Sequence, residues 1–297
     1  MIALLGATGT IGRYVADGLA ARGIEARALV RDPERPGIGL PTVRADLRNP
    51  QSLREAIAGA DQLFLLTPHG PDQDLHEAAA VDAALATGAG RIVKVSGAAA
   101  TLGPNGPAST AVSHWQSERR IEDSGLRFCF LRPSFVMQNL LNVAAPMVAK
   151  LGILATPMGR APIAMVDARD VAACAVAALA DPDAADQAWQ LTGPRSVTFP
   201  EIADRLSVPY LPVPLGLSAR MLRRGGASPF EVEHSVRMAA FFATGADGVS
   251  TGAVAQLTGH RPRPIDAFLS EHADAFAGRR LPVVPRLVQL IPSPKGI

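Results

Sequence analysis

Residues 2–31 read IALLGATGTIGRYVADGLAARGIEARALVR, and this stretch decides the fold. A short apolar run at 2–5 meets Gly6-Ala7-Thr8-Gly9-Thr10-Ile11-Gly12. A helical segment at 10–21 follows, then a second strand-like run at 25–30. Strand, glycine loop, helix and strand in that order predict the opening βαβ unit of a dinucleotide-binding domain. Gly6, Gly9 and Gly12 serve three needs: a tight turn, backbone N–H groups close to a pyrophosphate, and a helix packed against its strand. The helix N-terminus adds about half a positive charge toward the phosphates. A glycine turn without a ligand is the plain alternative.

The residue that ends the second strand selects the cofactor. An acidic side chain there binds the ribose 2′-hydroxyl and repels a 2′-phosphate. Here the strand runs out as Val30-Arg31-Asp32-Pro33. The Arg31 guanidinium suits a phosphate through paired hydrogen bonds, which favours NADPH/NADP+ over NADH. Asp32 argues the other way unless it points into the turn begun by Pro33. Asp46 and Leu47, after the third strand, are placed to reach the adenine; Asp46 equally fits a loop residue preceding the helix at Pro50.

Outward from this unit, strand-like runs at 42–45, 62–67, 91–95 and 127–132 alternate with helical runs at 50–58, 72–87 and 111–124. Asn49-Pro50 is an N-cap followed by an N1 proline. The alternation predicts an α/β protein, a Rossmann-like doubly wound parallel sheet buried on both faces. The second half is less regular. A strand is expected at 163–166, a helix from about Asp170, where Asp170 caps it, to Leu179, and a strand at 187–191. A capping box opens a helix at 198–206 (Thr198, Glu201). Helical segments at 218–224, 229–244 and 265–276 suggest a small C-terminal substrate lobe. The expected division is 1–150 for the cofactor core and 151–297 for the rest of the sheet, the lobe and a proline-containing tail, interleaved as one unit. The tail at 279–297 fits a wrapping segment or a mobile end.

Composition is that of a globular enzyme: 297 residues, 48% hydrophobic, 19% charged, net charge +2. That balance argues against a nucleic-acid platform. No run approaches the roughly 20 apolar residues needed to cross a bilayer. The first apolar run is too short for a signal peptide, and two cysteines make no disulfide framework, so the expected location is cytoplasmic. Cys129 and Cys174 sit in apolar segments and read as packing residues.

Several further stretches carry a resemblance: GATGTIGR, VRDP, ADLRNPQSL, KVSG, HWQSERRIEDSGLRFCFLRPSFVMQN, MVDARDVA, WQLTGPRSVTFPEIADRLS and VAQLTGHRPRPIDAFLSEH. Together they resemble the NmrA-like branch of atypical short-chain dehydrogenases/reductases, over nearly the whole chain. The resemblance implies a Rossmann-like sheet with a cleft beneath a small lobe. It implies that Thr8 to Gly12 and Arg31 hold the pyrophosphate and 2′-phosphate. Thr67-Pro68 and Ser96-Gly97 would border the ribose and nicotinamide, Pro133-Ser134-Phe135 would pack along the nicotinamide, and Gln138 and Asn139 would lie at the substrate mouth. Ser96 also fits a strand-end serine that caps its neighbours. Members of this family include quinone reductases, plant reductases of aromatics, and regulators that sense NADP(H).

Ordinary short-chain reductases carry Tyr-x-x-x-Lys, in which the lysine lowers the phenol's pKa for proton exchange. This chain cannot build the pair. Its tyrosines are Tyr14 and Tyr210, its lysines Lys94, Lys150 and Lys295, and no lysine follows a tyrosine suitably. The corresponding helix offers His114-Trp115-Gln116-Ser117-Glu118. One turn sets His114 and Glu118 on one face, so Glu118 could orient the imidazole and raise its pKa toward the working range. A surface i,i+4 pair stabilising the helix, or a histidine that merely hydrogen-bonds substrate, are the alternatives. Trp115 and His69 are substrate candidates, and Phe230, Met238, Phe241 and Phe242 line either an apolar cleft or a core. No histidine shows metal-ligand spacing, and no metal is expected.

The expected activity is NADPH-dependent hydride transfer to a small conjugated or aromatic carbonyl, quinone-type substrate. An NADP(H)-sensing regulator, or a dehydration or isomerisation on the same scaffold, are the other readings. An apolar small molecule is the expected partner, without nucleic acid or membrane, and a homodimer is considered.

Overall fold

The computed structural model describes residues 1–34 and 37–278; the tail at 279–297 lies outside them. Seven strands form one parallel sheet: β1 (Ile2–Leu5), β2 (Ala26–Val30), β3 (Thr42–Arg44), β4 (Gln62–Leu65), β5 (Arg91–Val95), β6 (Arg127–Pro133) and β8 (Gln187–Leu191). Their order is β3-β2-β1-β4-β5-β6-β8. β7 (Leu154–Thr156) and β9 (Tyr210–Pro212) make a separate parallel pair, with Leu154 opposite Tyr210. β1, at the sheet centre, is apolar end to end because both faces are covered, and all four of its residues are buried; β5 beside β4 is equally buried but carries Lys94.

Helix α1 (Thr10–Ala21) covers one face with helices Ala168–Ala180 and Ala253–Thr258. Helices α2 (Pro50–Ile57), α3 (Gln73–Thr87) and α4 (Ser109–Asp123) cover the other. The strand order reverses between β1 and β4, and the crevice this opens beyond their C-terminal ends is where such sheets bind ligands. A third apolar core, around Phe135, Phe199, Phe242 and Phe268, belongs to the lobe over that crevice.

Local chemistry sets the helix starts. Asn49 accepts hydrogen bonds from the N–H groups of Gln51 and Ser52, with Pro50 behind it. Both capping bonds predicted for Thr198 and Glu201 are present, and Ser228 and Glu231 repeat the motif before helix Pro229–Ala243.

Several expectations need correction. The cap of helix Ala168–Ala180 is Asp167, whose carboxylate accepts from the Arg169 N–H; Asp170 lies one turn in and binds Arg263 instead. Residues 163–166 form isolated bridges, Ile163 to Val197 and Val136 to Val166, and no strand, because their successive partners lie on different segments. The segment at 265–276 is broken at His272 into Ile265–Glu271 and Ala273–Phe276. Strands β7 and β9 have no counterpart in the sequence pattern, because three residues carry no readable alternation.

Candidate active site

One continuous cleft of ≈ 1100 Å³ runs from the glycine loop to the lobe. At one end lie Gly6, Thr8, Gly9, Thr10 and Ile11. Gly6 has φ +94, and a Cβ on it would overlap the Leu66 carbonyl; a Cβ on Gly12 would overlap the Gly6 carbonyl. These close approaches pin the first turn of α1 to the loop, and Gly12 acts from beneath it rather than lining the cleft. The helix starts on Gly9 with no side-chain cap and no acidic residue in its first turn. Its partial positive charge is therefore left for an anion in the cleft.

Arg31 is exposed, lines the cleft just past β2, and has no ion-pair partner among the described residues. Asp32 turns aside and accepts from the Glu34 N–H at 3.1 Å. Asp46 and Leu47 also line the cleft. The Asp46 carboxylate accepts from the backbone and side chain of Arg48, bonds that hold its pKa below the usual range. Arg48 lines the same end, so two arginines bracket Asp46.

Farther along the cleft come Thr67, Pro68, His69, Ser96, Gly97, Pro133, Ser134, Phe135, Gln138 and Asn139. Ser96 lines the crevice and is buried, and its hydroxyl has no hydrogen-bond partner among the described residues. Gln138 is committed to the scaffold: its amide donates to Asp167 at 3.0 Å and accepts from the Ala168 N–H at 2.8 Å. Asn139 is exposed. An NADP(H) molecule fits this donor set, with N–H groups at one end, Arg31 beside them and an unpartnered Ser96 hydroxyl in the middle.

His114 lines the cleft from α4 and is 6% exposed. Its surroundings differ from the sequence reading. Glu118 is buried and gives both oxygens to Arg132, Oε1 at 3.0 Å from Nε and Oε2 at 2.5 Å from Nη2. The groups around His114 come from other elements. Lys94 Nζ of β5 lies 3.2 Å from Nδ1, and Glu77 Oε1 of α3 lies 3.6 Å from it. Lys94 Nζ donates to Glu77 Oε1 at 2.7 Å, and Thr67 Oγ1 and Gln73 Nε2 donate to the same oxygen at 2.9 and 3.3 Å. Both charged side chains are fully buried. Burial first, then the Lys94 ammonium, push the His114 pKa well below its ordinary value, opposite to the expected rise. The imidazole is neutral at neutral pH.

Two more imidazoles complete this wall. The His69 ring lies 5.7 Å from His114 and 5.4 Å from His234. His234 Nδ1 is 3.0 Å from Thr110 Oγ1, and burial lowers its pKa to about 4. Trp115 is half-buried and does not line the cleft. Of the lobe aromatics, Phe242 lines it with Met238 and meets Phe135 edge to face at 5.5 Å, while Phe241 packs against the lobe core and Phe230 stacks on His234. Among the described residues no His, Cys, Asp or Glu cluster could hold a metal. Burial pushes the Cys129 and Cys174 thiols up to about 11 and about 12, which makes them poor nucleophiles.

Sequence reading missed Glu77, Gln73, Lys94, His234 and Asp247. One signal was present for Lys94: a lysine inside a strand that must be buried on both faces needs an internal partner. Asp247 accepts from Ser134 Oγ, and burial raises its pKa from 3.8 to about 6. The native state thus binds this proton more tightly than the unfolded chain does. Stability conferred by the protonated acid is present below pH 3.8 and lost as pH rises through about 6. Asp247→Asn is expected to gain roughly 2–3 kcal/mol over the parent between pH 4 and 7. Denaturation across that range checks it; a pH-independent difference would show the carboxyl titrates normally.

The NmrA-like family model matches residues 1–207. The chain is 33% identical over 291 residues to an NAD(P)H azoreductase of Xenophilus azovorans, covering 93% of this chain and 99% of the relative. It is 35% identical over 285 residues to a (4-alkanoyl-5-oxo-2,5-dihydrofuran-3-yl)methyl phosphate reductase of Streptomyces griseus, with the same two coverages. Its fold superposes on an NADPH-dependent quinone oxidoreductase from Escherichia coli, crystallised with NADPH, with TM-score 0.84 at 23% identity, covering 91% of this chain and 99% of that one. With the family model matching residues 1–207 and two curated relatives at 33% and 35% identity aligned over 93% of the chain, the protein belongs to the NmrA-like family.

Proposed function

We propose that this protein is an NADPH-dependent reductase of a small conjugated or aromatic acceptor of the quinone type. The observation that carries the reading is the single cleft joining the open N-terminus of α1 and Arg31 to an apolar chamber walled by His114. NADPH, when bound, supplies the hydride. The residues of the chain bind, orient and exclude water around it. The first turn of α1 and Arg31 hold the phosphates. Ser96, Gly97, Pro133 and Phe135 border the nicotinamide, and Met238 and Phe242 give the acceptor an apolar, aromatic face. His114, beside that chamber, supplies the proton that accompanies the hydride. The relatives named for reduction of an azo compound and of an unsaturated lactone phosphate support the reductase reading, and both acceptors are conjugated.

The test is NADPH oxidation by purified protein over a panel of quinones, azo dyes and enones, followed by nicotinamide absorbance. Turnover with at least one class is expected. Cofactor binding without turnover on any would move the reading to a sensor of NADP(H). Within the same assay, Arg31→Ala should weaken NADPH by roughly 10–100-fold, the worth of a charge-assisted hydrogen-bonded pair, while NADH changes far less. Equal weakening of the two removes Arg31 from the 2′-phosphate.

A further inference from the structure

The arrangement behind His114 is more specific than a single acid residue requires. A neutral imidazole carries its proton on one nitrogen, and the partner of the other decides which. Lys94 Nζ, 3.2 Å from Nδ1, is a donor only. The tautomer that completes this bond presents the Nδ1 lone pair to the ammonium and carries the proton on Nε2; Glu77 Oε1, 3.6 Å from Nδ1, is the more distant neighbour. The Gln73 amide nitrogen lies 3.2 Å from both ring nitrogens and discriminates neither. The Cδ2 edge of the ring, next to Nε2, is the side turned to Gly97, a residue of the cleft wall.

We propose that Lys94, held by Glu77, is the proton source behind His114, so that Lys94 Nζ, His114 Nδ1 and His114 Nε2 form a relay into the cleft. This rests on the reductase reading above. A neutral imidazole that gave up its Nε2 proton alone would become an imidazolate, which is prohibitively basic. A proton arriving at Nδ1 as one leaves Nε2 removes that obstacle. When a quinone takes up hydride, one of its oxygens is left anionic. The Nε2 proton bonds to that oxygen, a Lys94 Nζ proton bonds to Nδ1, and Lys94 is left as a neutral amine beside the Glu77 carboxylate. After the product leaves, a solvent proton entering the cleft bonds to Nε2, and the Nδ1 proton returns to Lys94.

The surroundings fit this work. Lys94 is fully buried, and among the described residues the imidazole is the one titratable cleft-lining group that its ammonium meets directly. Its remaining contacts are Glu77 and the Val95 carbonyl at 3.3 Å. Glu77 Oε1 collects three donors, from β5, from α3 and from the segment after β4, which fixes the carboxylate and hence the ammonium. The ionisable groups facing His114 are Glu77, Lys94, His69 and His234.

Two measurements test the relay. The first needs no variant or substrate: nitrogen NMR of histidine-labelled protein, with His114 assigned by its absence in His114→Asn. Nδ1 is expected unprotonated and Nε2 protonated throughout neutral pH; an Nδ1–H tautomer or a doubly protonated ring overturns the proposal. The second compares a quinone, which needs hydride and a proton, with a cationic triarylmethyl dye, which takes hydride alone and becomes neutral. In Lys94→Met, and in Lys94→Met/Glu77→Gln, which removes both buried charges in case the single variant does not fold, quinone turnover should fall at least about ten-fold more than dye turnover. An equal fall in both rates assigns Lys94 a structural role and overturns the relay. Absence of turnover with both acceptors in the parent removes the reductase reading, and the tautomer then decides the Lys94–His114 link by itself.

Discussion

Glu77→Ala is expected to lower the stability of the protein by about 3–5 kcal/mol, the cost of leaving a buried charge without its partner. Lys94 is fully buried, and Glu77 Oε1 at 2.7 Å is its only anionic partner among the described residues. Removing the carboxylate leaves the ammonium against the Val95 carbonyl and the imidazole, neither of which carries a compensating charge. Thr67 Oγ1 and Gln73 Nε2 lose an acceptor at the same time. Glu77→Gln keeps an oxygen for these donors and should cost less. Denaturant unfolding of the three proteins checks the order. A loss below about 1 kcal/mol, typical of an exposed pair, would mean that Lys94 is neutral or finds another partner.

The second large effect falls on turnover. His114→Ala is expected to reduce quinone turnover by about 10²–10⁴-fold, the usual worth of a positioned proton donor. Cofactor affinity should change little, because the groups proposed to bind the phosphates, Arg31 and the α1 N-terminus, line the other end of the cleft. His114→Gln keeps a side chain of similar length and guards against loss of packing. Unchanged turnover in a folded variant would remove His114 from proton transfer. Because the ring is buried and neutral, the parent's activity is expected to vary little across pH 6–8 through His114 itself.

The glycine loop and Arg31, which line one end of the cleft, were legible because their placement is local. Gly6, Gly9 and Gly12 act within one loop and one helical turn, and Arg31 follows directly from where β2 stops. The doubly wound sheet was legible for the same reason: each strand is a short apolar run, and each helix between runs forces a crossover. The helix caps at Asn49 and Thr198 follow from residues two or three apart.

The chemistry at the other end was not local. His114 and Glu118 stand one turn apart, and on an isolated helix they would be natural partners. In the folded protein α4 packs beside β6, and Arg132 of that strand takes Glu118. The imidazole then meets Lys94, 20 residues away on β5, and Glu77, 37 residues away on α3 (114 − 77).

By itself, the sequence determined the parallel sheet, the glycine loop, the arginine beside it and the absence of a tyrosine–lysine pair, all properties of residue type and near spacing. Only the tertiary structure decided which carboxylate faces His114, which groups meet its two ring nitrogens and that burial lowers its pKa. Burial sets these outcomes. Once water is excluded, an ionisable group takes its state from whichever charges the fold brings within a few ångströms, and chain distance no longer matters.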